Sequence, residues 1–584
     1  MIRLVPLVLL GGIACGKPVS LSPAKWPKSE YDRFMGSIQN TVRTTADVAT
    51  GTRGAVTVAY GGFAARAGLE TLKRGGNAAD AALTTALTQV ALTAGAPISY
   101  FGIMSLVYYD AKTGKTSTMS AGWNTILGET APLSIPGELA LSEDKLWGTV
   151  PSGRTALVGG FMKGVEAAHR KFGKLPFASM FDPAIHIAEA GMPVTKELAS
   201  EFISREADLK RLAATRAVFM KPDGTRYLEG ERFRQPALAR TLRMVAARGA
   251  DYLYRGPWGE KLVRAVQADG GKMTMADLAA YQVTWSSPRI GTVGDYQIYT
   301  VGAPNYGGLN LIEAQHLAAA AGLAAGPHWS ASGVSLRNAS NITNAWMLTL
   351  FPESMRASLY PGVDFSEASR LTPEHARRLW PRIADGVKPL QWAKNGSHSD
   401  DVVVIDEEGN MAAITHSINC VIWGKTAINV DGISIGDPGS YQQAAIAKVG
   451  PGKPLPDPTE TGLLVKEGKP VLAFASMGSG LHQRTFQALL NVAVFGMTVD
   501  QAIDAPDFFI PTLSLKDGGY LVAVPKGRFP KTVLDETGSG YREYDPERSR
   551  FGGEGVWVGI SRDPRTGRLR AASHNRSNSA AVAY

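Results

Sequence analysis

Val402-Val403-Val404-Ile405 is the stretch of this chain that leaves the fewest folds open. It is β-branched without a break, and Asp406-Glu407-Glu408-Gly409-Asn410 turns it into a second apolar run that opens at Met411. Branched side chains suit a pleated strand, and a half-exposed strand would alternate apolar with polar residues. A strand with no alternation belongs to a sheet covered on both faces. The reading is therefore a buried hairpin, Asp401 to Ile405 and Met411 to Asn419, closed by a glycine-bearing turn.

The same strand–turn–strand pattern recurs at Leu463 to Lys466, Glu467-Gly468-Lys469 and Pro470 to Phe474. The loop Ser476-Met477-Gly478-Ser479-Gly480 then leads into a helix from Leu481 to Phe495, and strands return at Gly555–Ile560 and Leu569–Ser573. Upstream, Gly54 to Ala59 reads as a buried strand, and Phe63 to Arg74 as a helix stopped by Gly75-Gly76-Asn77. Ala78 to Ala94 is a long core helix, and Met104–Tyr109 with Thr116–Ser120 is another hairpin. Helices separated by Pro and Gly breaks fill 155–285, a strand covers Tyr296–Val301, and 323–395 is largely helical. Stacked antiparallel sheets with helices outside make an α+β fold, a four-layer αββα sandwich.

Composition excludes several function classes. With 584 residues, 44% of them hydrophobic and 19% charged, the chain can bury a large core. The net charge of +9 comes from Lys and Arg scattered among acids, with no basic stripe, so nucleic acid is not an expected partner. Cys15 and Cys420 are the only cysteines, which excludes a disulfide framework and a cysteine metal site. No histidines stand at metal-ligating spacing, so neither metal nor cofactor is expected.

Met1-Ile2-Arg3, the apolar run Leu4 to Ile13 and Ala14-Cys15 together resemble an export signal. Gly12-Ile13-Ala14-Cys15 also resembles a lipoprotein cleavage box with Cys15 as the lipidated residue. Two outcomes stay open: a membrane-anchored lipoprotein, or plain export to the periplasm. Residues 1–15 are read as the signal and 16–50, rich in Pro, Ser, Thr and Lys, as a linker.

The residues ahead of the central strand are Asn395-Gly396-Ser397-His398-Ser399-Asp400-Asp401. A hydroxyl at the start of a buried strand becomes an N-terminal nucleophile if the chain is cut before it, because the freed α-amine is a base with a pKa of about 8. Ser399 fits that position, and Ser417 on the paired strand can reach it. Gly478 and Ser479, at a loop opening a helix, can offer backbone N–H groups to an oxyanion. Ser397 is the alternative nucleophile. His398 falls on the leaving side of the cut and reads as a turn residue.

From about residue 54 to the C-terminus the chain resembles the γ-glutamyltransferase family of self-processed N-terminal nucleophile hydrolases. Gly75-Gly76-Asn77-Ala78-Ala79-Asp80-Ala81, Lys171 to Phe177 with Pro183-Ala184-Ile185, Gly270-Gly271 with Asp277 to Tyr281, and Pro304 with Gly307-Gly308 carry the likeness upstream. Asp406 to Asn410 and Asp504-Ala505-Pro506-Asp507-Phe508 carry it downstream. The resemblance implies a large part, 51–398, and a small part, 399–584, that stay associated in one αββα unit. It implies Ser399 as nucleophile, Ser417 and Asn419 as its support and substrate contact, Gly478-Ser479 as the oxyanion loop, and Asp437 near an amine-binding position. The implied reaction is hydrolysis or transfer of an acyl group from a small amide or peptide, glutathione or another γ-glutamyl or N-acyl amide.

Three departures bear on substrate. Ser399-Asp400-Asp401 replaces the family's Thr-Thr-His, and Asp457-Pro458-Thr459-Glu460 replaces the serine pair that holds the glutamyl carboxylate. Trp123, within Ser120-Ala121-Gly122-Trp123-Asn124, stands where the family has the arginine that pairs with that carboxylate, an exchange of a bidentate cation for an apolar plate. Alternatives remain: an acylase of different acyl specificity, an exported relative that binds without turnover, and a serine esterase using Gly432-Ile433-Ser434-Ile435-Gly436. That last pattern needs a helix after the serine, and Asp437-Pro438-Gly439 argues for a loop. Ser142-Glu143-Asp144-Lys145 fits SxxK but lacks companion motifs, and reads as a charged turn.

Overall fold

The computed structural model describes residues 19–39, 43–137, 150–387, 399–478, 480–513, 520–538, 540–545, 555–575 and 578–584. Cys15, Ser397, His398, Ser479 and the 142–145 turn lie outside them. Two seven-stranded sheets form the centre, and every strand pair in both is antiparallel. In chain order their strands are β1 (Asp47–Gly51), β2 (Gly54–Val58), β3 (Ile103–Asp110), β4 (Lys115–Ala121), β5 (Thr284–Ser286), β6 (Arg289–Val293) and β7 (Tyr296–Thr300). From residue 399 onward come β8 (Ser399–Asp406), β9 (Met411–Ser417), β10 (Gly462–Lys466), β11 (Lys469–Met477), β12 (Val556–Arg562), β13 (Leu569–Ser573) and β14 (Ala580–Ala583). The first sheet runs β1-β13-β12-β11-β10-β7-β6 and the second β14-β2-β8-β9-β3-β4-β5.

Both sheets therefore mix strands from before and after residue 399. β8, which carries the Val402–Ile405 run, lies between β2 and β9. Its side chains divide as strand geometry requires. Val403 and Ile405 join Ala413, Leu463, Ala473, Val556 and Val558 in the core between the sheets. Val402 and Val404 join Val56, Val58, Ala412 and Ile414 in the core under helices α2 (Gly62–Lys73) and α3 (Ala78–Leu92). A third core packs Leu464, Leu472, Phe474 and Trp557 against α4 (Gly307–Ala320) and α5 (Leu481–Ala493). Three cores separate four layers, the αββα sandwich expected.

Segments that looked distant in sequence meet at the start of α3. Asn77 caps it in a reciprocal box with Asp80, and Asp80 Oδ2 also accepts the N–H groups of Lys174 (3.0 Å) and Leu175 (3.1 Å). Asp406, at the turn after β8, accepts the Ala78 N–H at 2.8 Å and the Asn410 side chain at 2.8 Å. The helix is thus pinned to the central hairpin.

The linker expected over 16–50 is corrected where it is described. Lys28–Gly36 is a helix and β1 is an edge strand paired with β13. Leu21, Trp26 and Ile38 are buried; the Trp26 ring lies 4.8 Å from Phe63, and Glu30 pairs with Arg66 at 2.7 Å. A few apolar residues spaced through a polar segment dock it, which bulk composition hides. Within the helical stretch 155–285, two short helices, Lys196–Ser204 and Glu206–Arg211, meet at Arg205. Among the described residues no helix is long and apolar enough to cross a membrane.

Candidate active site

Ser399 is the first residue of β8, and the ladder sets it directly opposite Ser417 at the end of β9. Side chains at opposed positions of an antiparallel pair have Cβ atoms about 4.5–5.5 Å apart. By alternation both serines share the inter-sheet face with Asp401 and Thr415. Ser399 is half-buried, while Asp401, Thr415 and Ser417 are buried. The backbone closes tightly here: a Cβ on Gly102 would stand 2.2 Å from the Ser417 carbonyl oxygen.

Polar groups line this end of the cleft. Asp401 Oδ1 accepts the Thr415 hydroxyl at 2.6 Å, and Thr415 is 2.7 Å from the Thr461 hydroxyl ahead of β10. Asn305 Nδ2 donates to Ser105 Oγ (2.6 Å) and Thr459 Oγ1 (2.9 Å), so the Pro304 loop delivers a side chain to the same cluster. Gly307 has to be glycine, since its Cβ would stand 2.1 Å from the Pro458 carbonyl.

Beyond Ser417 the chain turns through Asn419, which holds a left-handed φ of 46°. Its N–H donates to Ser417 Oγ at 2.7 Å, its amide reaches Asp457 Oδ2 at 3.3 Å, and its carbonyl accepts the Tyr441 hydroxyl. Asp457 Oδ1 accepts the Thr459 N–H at 2.9 Å, yet burial pushes its carboxyl up to about 6. Asp437 Oδ2 accepts the N–H groups of Lys425 (2.6 Å) and Thr426 (3.0 Å), while Oδ1 has no partner among the described residues; burial raises this carboxyl too. Tyr441 lies within the electrostatic reach of both acids, which makes Asn419, Tyr441, Asp437 and Asp457 one neighbourhood. Trp123 borders it. The indole is buried beside Gly436, where an added Cβ would stand 2.9 Å from Trp123 Cη2, and its N–H is unpartnered among the described residues.

Gly478 follows β11 with φ of 87°, so this loop position does require glycine. Its neighbour Ser479 is outside the described residues. The loop is tied to the Asp457–Thr461 segment by a buried pair, His482 Nδ1 to Glu460 Oε1 at 2.6 Å. The two acids of the Asp457–Glu460 segment therefore part: Glu460 serves His482 and only Asp457 faces Asn419. On the outer face of the sheet His416 donates to Gln89 Oε1 at 2.9 Å, and burial lowers its pKa to about 3.

Sequence reasoning named Ser399, Ser417, Asn419, Asp437, Asp457, Trp123 and Gly478, and the fold brings them to one end of the sandwich. It missed Ser105, Asn305, Thr415, Tyr441, Thr461 and the Glu460–His482 pair. For Thr415 a signal existed, the hydroxyl two residues before Ser417 on one strand face; for the others only tertiary contact reveals them. Ser434 is removed as a nucleophile elbow. It is buried in a two-stranded ribbon, Asn429–Val430 with Ile433–Ser434, and a short 3₁₀ turn follows at Pro438–Ser440 where the elbow needs a helix.

Stacked antiparallel sheets between helical layers, with a serine opening the central strand, define the N-terminal nucleophile hydrolase class. The chain belongs to the gamma-glutamyltranspeptidase family, whose profile matches residues 64–584. It is 27% identical over 497 residues to a glutathione hydrolase proenzyme of Pseudomonas sp. strain A14, covering 80% of this chain and 83% of that one. It is 28% identical over 476 residues to the Acylase ACY 1 proenzyme of Pseudomonas sp. strain V22, covering 78% and 82%. The solved cephalosporin acylase from Bacillus halodurans shares the fold, with a TM-score of 0.75 at 22% identity over 92% of this chain and 97% of that one. The protein is accordingly an amide hydrolase or acyltransferase.

Proposed function

We propose that the chain is a proenzyme that cuts itself ahead of Ser399 and then uses Ser399 Oγ to form an acyl-enzyme from a small amide. The carrying observation is the register that sets Ser399, the first residue of a central strand, opposite Ser417. After the cut the Ser399 α-amine accepts the hydroxyl proton as Oγ attacks the amide carbonyl. The Gly478 loop supplies N–H groups to the oxyanion, with Ser479 as the adjoining position. Ser417 and Asn419 hold the nucleophile and the bound acyl group. Water or an amine then takes the acyl group, giving hydrolysis or transfer. The part ahead of Ser399, with 51–398 as its body, and the part 399–584 stay together because each contributes strands to both sheets.

The acyl pocket favours a substrate other than a γ-glutamyl compound. Trp123 offers an apolar plate where a cation would be needed, and Asp457 offers a carboxylate where a carboxylate would have to bind. An apolar or amine-bearing N-acyl amide suits these groups better. The N-terminal residues imply export, with Cys15 as the lipid-bearing residue if the protein is anchored; metabolic labelling with a palmitate analogue, compared with Cys15→Ala, distinguishes anchoring from secretion.

The test is a panel of γ-glutamyl anilides and simple N-acyl amides run on wild type and Ser399→Ala. Ser399→Ala is expected to stay uncut and inactive on every compound, and wild type to prefer the N-acyl amides. A cut, active Ser399→Ala overturns the nucleophile, and activity confined to the glutamyl compounds overturns the pocket reading.

A further inference from the structure

We propose that the Asp401 carboxylate, reached through one water, takes the Ser399 hydroxyl proton when the chain cuts itself. The inference rests on the self-cleavage reading above. It answers a question that reading leaves open. Before the cut the Ser399 nitrogen is a peptide nitrogen, so the amine that serves later turnovers does not yet exist, and the first reaction needs another base.

Geometry singles out Asp401. It is two residues from Ser399 on β8, so both side chains face the inter-sheet cleft, with their Cα atoms about 6–7 Å apart along the strand. One water spans such a gap. Asp401 Oδ1 is fixed by the Thr415 hydroxyl at 2.6 Å, which is braced in turn by Thr461. Oδ2 is buried and has no partner among the described residues. That oxygen is the acceptor. A lone pair held in place and shielded from bulk water has little reorganisation to make when the proton arrives.

The neighbouring ionisable groups are turned elsewhere. Asp400 and His416 occupy the opposite face of the sheet, where His416 bonds Gln89. Glu460 is held by His482, and Asp457 by Asn419 and Thr459. Burial raises the Asp401 carboxyl well above the usual carboxylate range, which strengthens it as a base when ionised and makes the cleavage rate climb with pH.

The step balances as hydrolysis of one peptide bond. The Ser399 Oγ–H proton passes through the water to Asp401 as Oγ bonds to the carbonyl carbon ahead of Ser399. The C–N bond then breaks, and the departing nitrogen takes a proton back from Asp401 by the same water. A second water cleaves the resulting ester, releasing a new carboxylate and restoring the serine hydroxyl beside a free amine.

The experiment follows conversion of freshly synthesised full-length chain to its two fragments on denaturing gels, from pH 5 to 9. Wild type, Asp401→Asn, Asp401→Glu and Asp400→Asn are compared. Asp401→Asn keeps the acceptor for Thr415, and is expected to convert about 100-fold more slowly or worse, with a flat pH profile. Asp401→Glu is expected to recover part of the rate with a displaced pH midpoint, and Asp400→Asn to convert within a few-fold of wild type. If Asp401→Asn shows no cooperative melt, Asp401→Glu decides, and an unshifted pH profile in that variant overturns the proposal. Asp401→Asn cut at the wild-type rate with the wild-type profile overturns it directly. A wild type never cut ahead of Ser399 would instead remove the self-cleavage reading, and this inference with it.

Discussion

Asp457 offers a quantitative prediction, because its burial sets stability against function. The carboxyl is raised from an ordinary 3.8 to about 6, with desolvation as the leading cause. Below pH 3.8 the folded and unfolded chains both carry the proton. Between 3.8 and 6 the unfolded chain gives it up while the folded one keeps it, so stability falls with rising pH and levels off above 6. A gap of about 2 units at about 1.36 kcal/mol each costs about 3 kcal/mol at pH 7.5. Asp457→Asn removes that cost. The amide oxygen still accepts the Thr459 N–H, and the Asn419 contact at 3.3 Å has to re-form by an amide flip, losing about 1 kcal/mol. The net gain is about 2 kcal/mol. It is measured in a Ser399→Ala background, in which the chain is expected to stay uncut, by melting at matched scan rate from pH 4 to 8. Asp457→Asn is expected to melt roughly 1–2 °C higher at pH 7.5, with the gain gone and a slight destabilisation left at pH 4. In the active background the same change is expected to raise KM for the preferred amide. A destabilisation of equal size at every pH would refute the reasoning.

Gly102→Ala puts a Cβ against the Ser417 carbonyl and is expected to abolish or severely slow cleavage in a chain that still melts cooperatively, read on a denaturing gel. Trp123→Phe keeps most of the packing and removes a buried unpartnered N–H, so a melting temperature at or above wild type is expected, with KM changed for apolar acyl groups. Burial pushes the Glu313 carboxyl up, but Arg370 at 2.6 Å and His375 at 2.7 Å overcome it and hold it near about 2. That stability is present above pH 4.5 and lost as pH falls through 2; Glu313→Gln is expected to cost about 3–5 kcal/mol at pH 7 in chemical denaturation, by leaving the Arg370 charge buried alone.

Local pattern made the layers of this fold legible. The unbroken apolar run at Val402–Ile405 demanded cover on both faces, and β8 has it. The β10–β11 and β3–β4 hairpins, α3 and the helix after Gly478 were equally readable from period and turn chemistry. Edge strands were not. β1 and β14 are short, and β6 mixes Arg289 and Thr292 with apolar residues, so only their pairing partners identify them as strands. The site divided the same way. Ser399, Ser417 and Asn419 are close in sequence and lie on one hairpin, so counting along the chain finds them. Asn305, Thr461 and the Glu460–His482 clamp arrive from separate loops, and no spacing rule relates them. Asp401 was visible as a departure from the family pattern, but only the face it shares with Ser399 gives it a task.

Whether this chain makes its own nucleophile is read from N-terminal sequencing of the purified protein together with its intact mass. Two fragments are expected, the smaller one running from Ser399 to Tyr584 with a free amine. A single uncut chain, or a small fragment that starts at any other residue, would contradict this expectation.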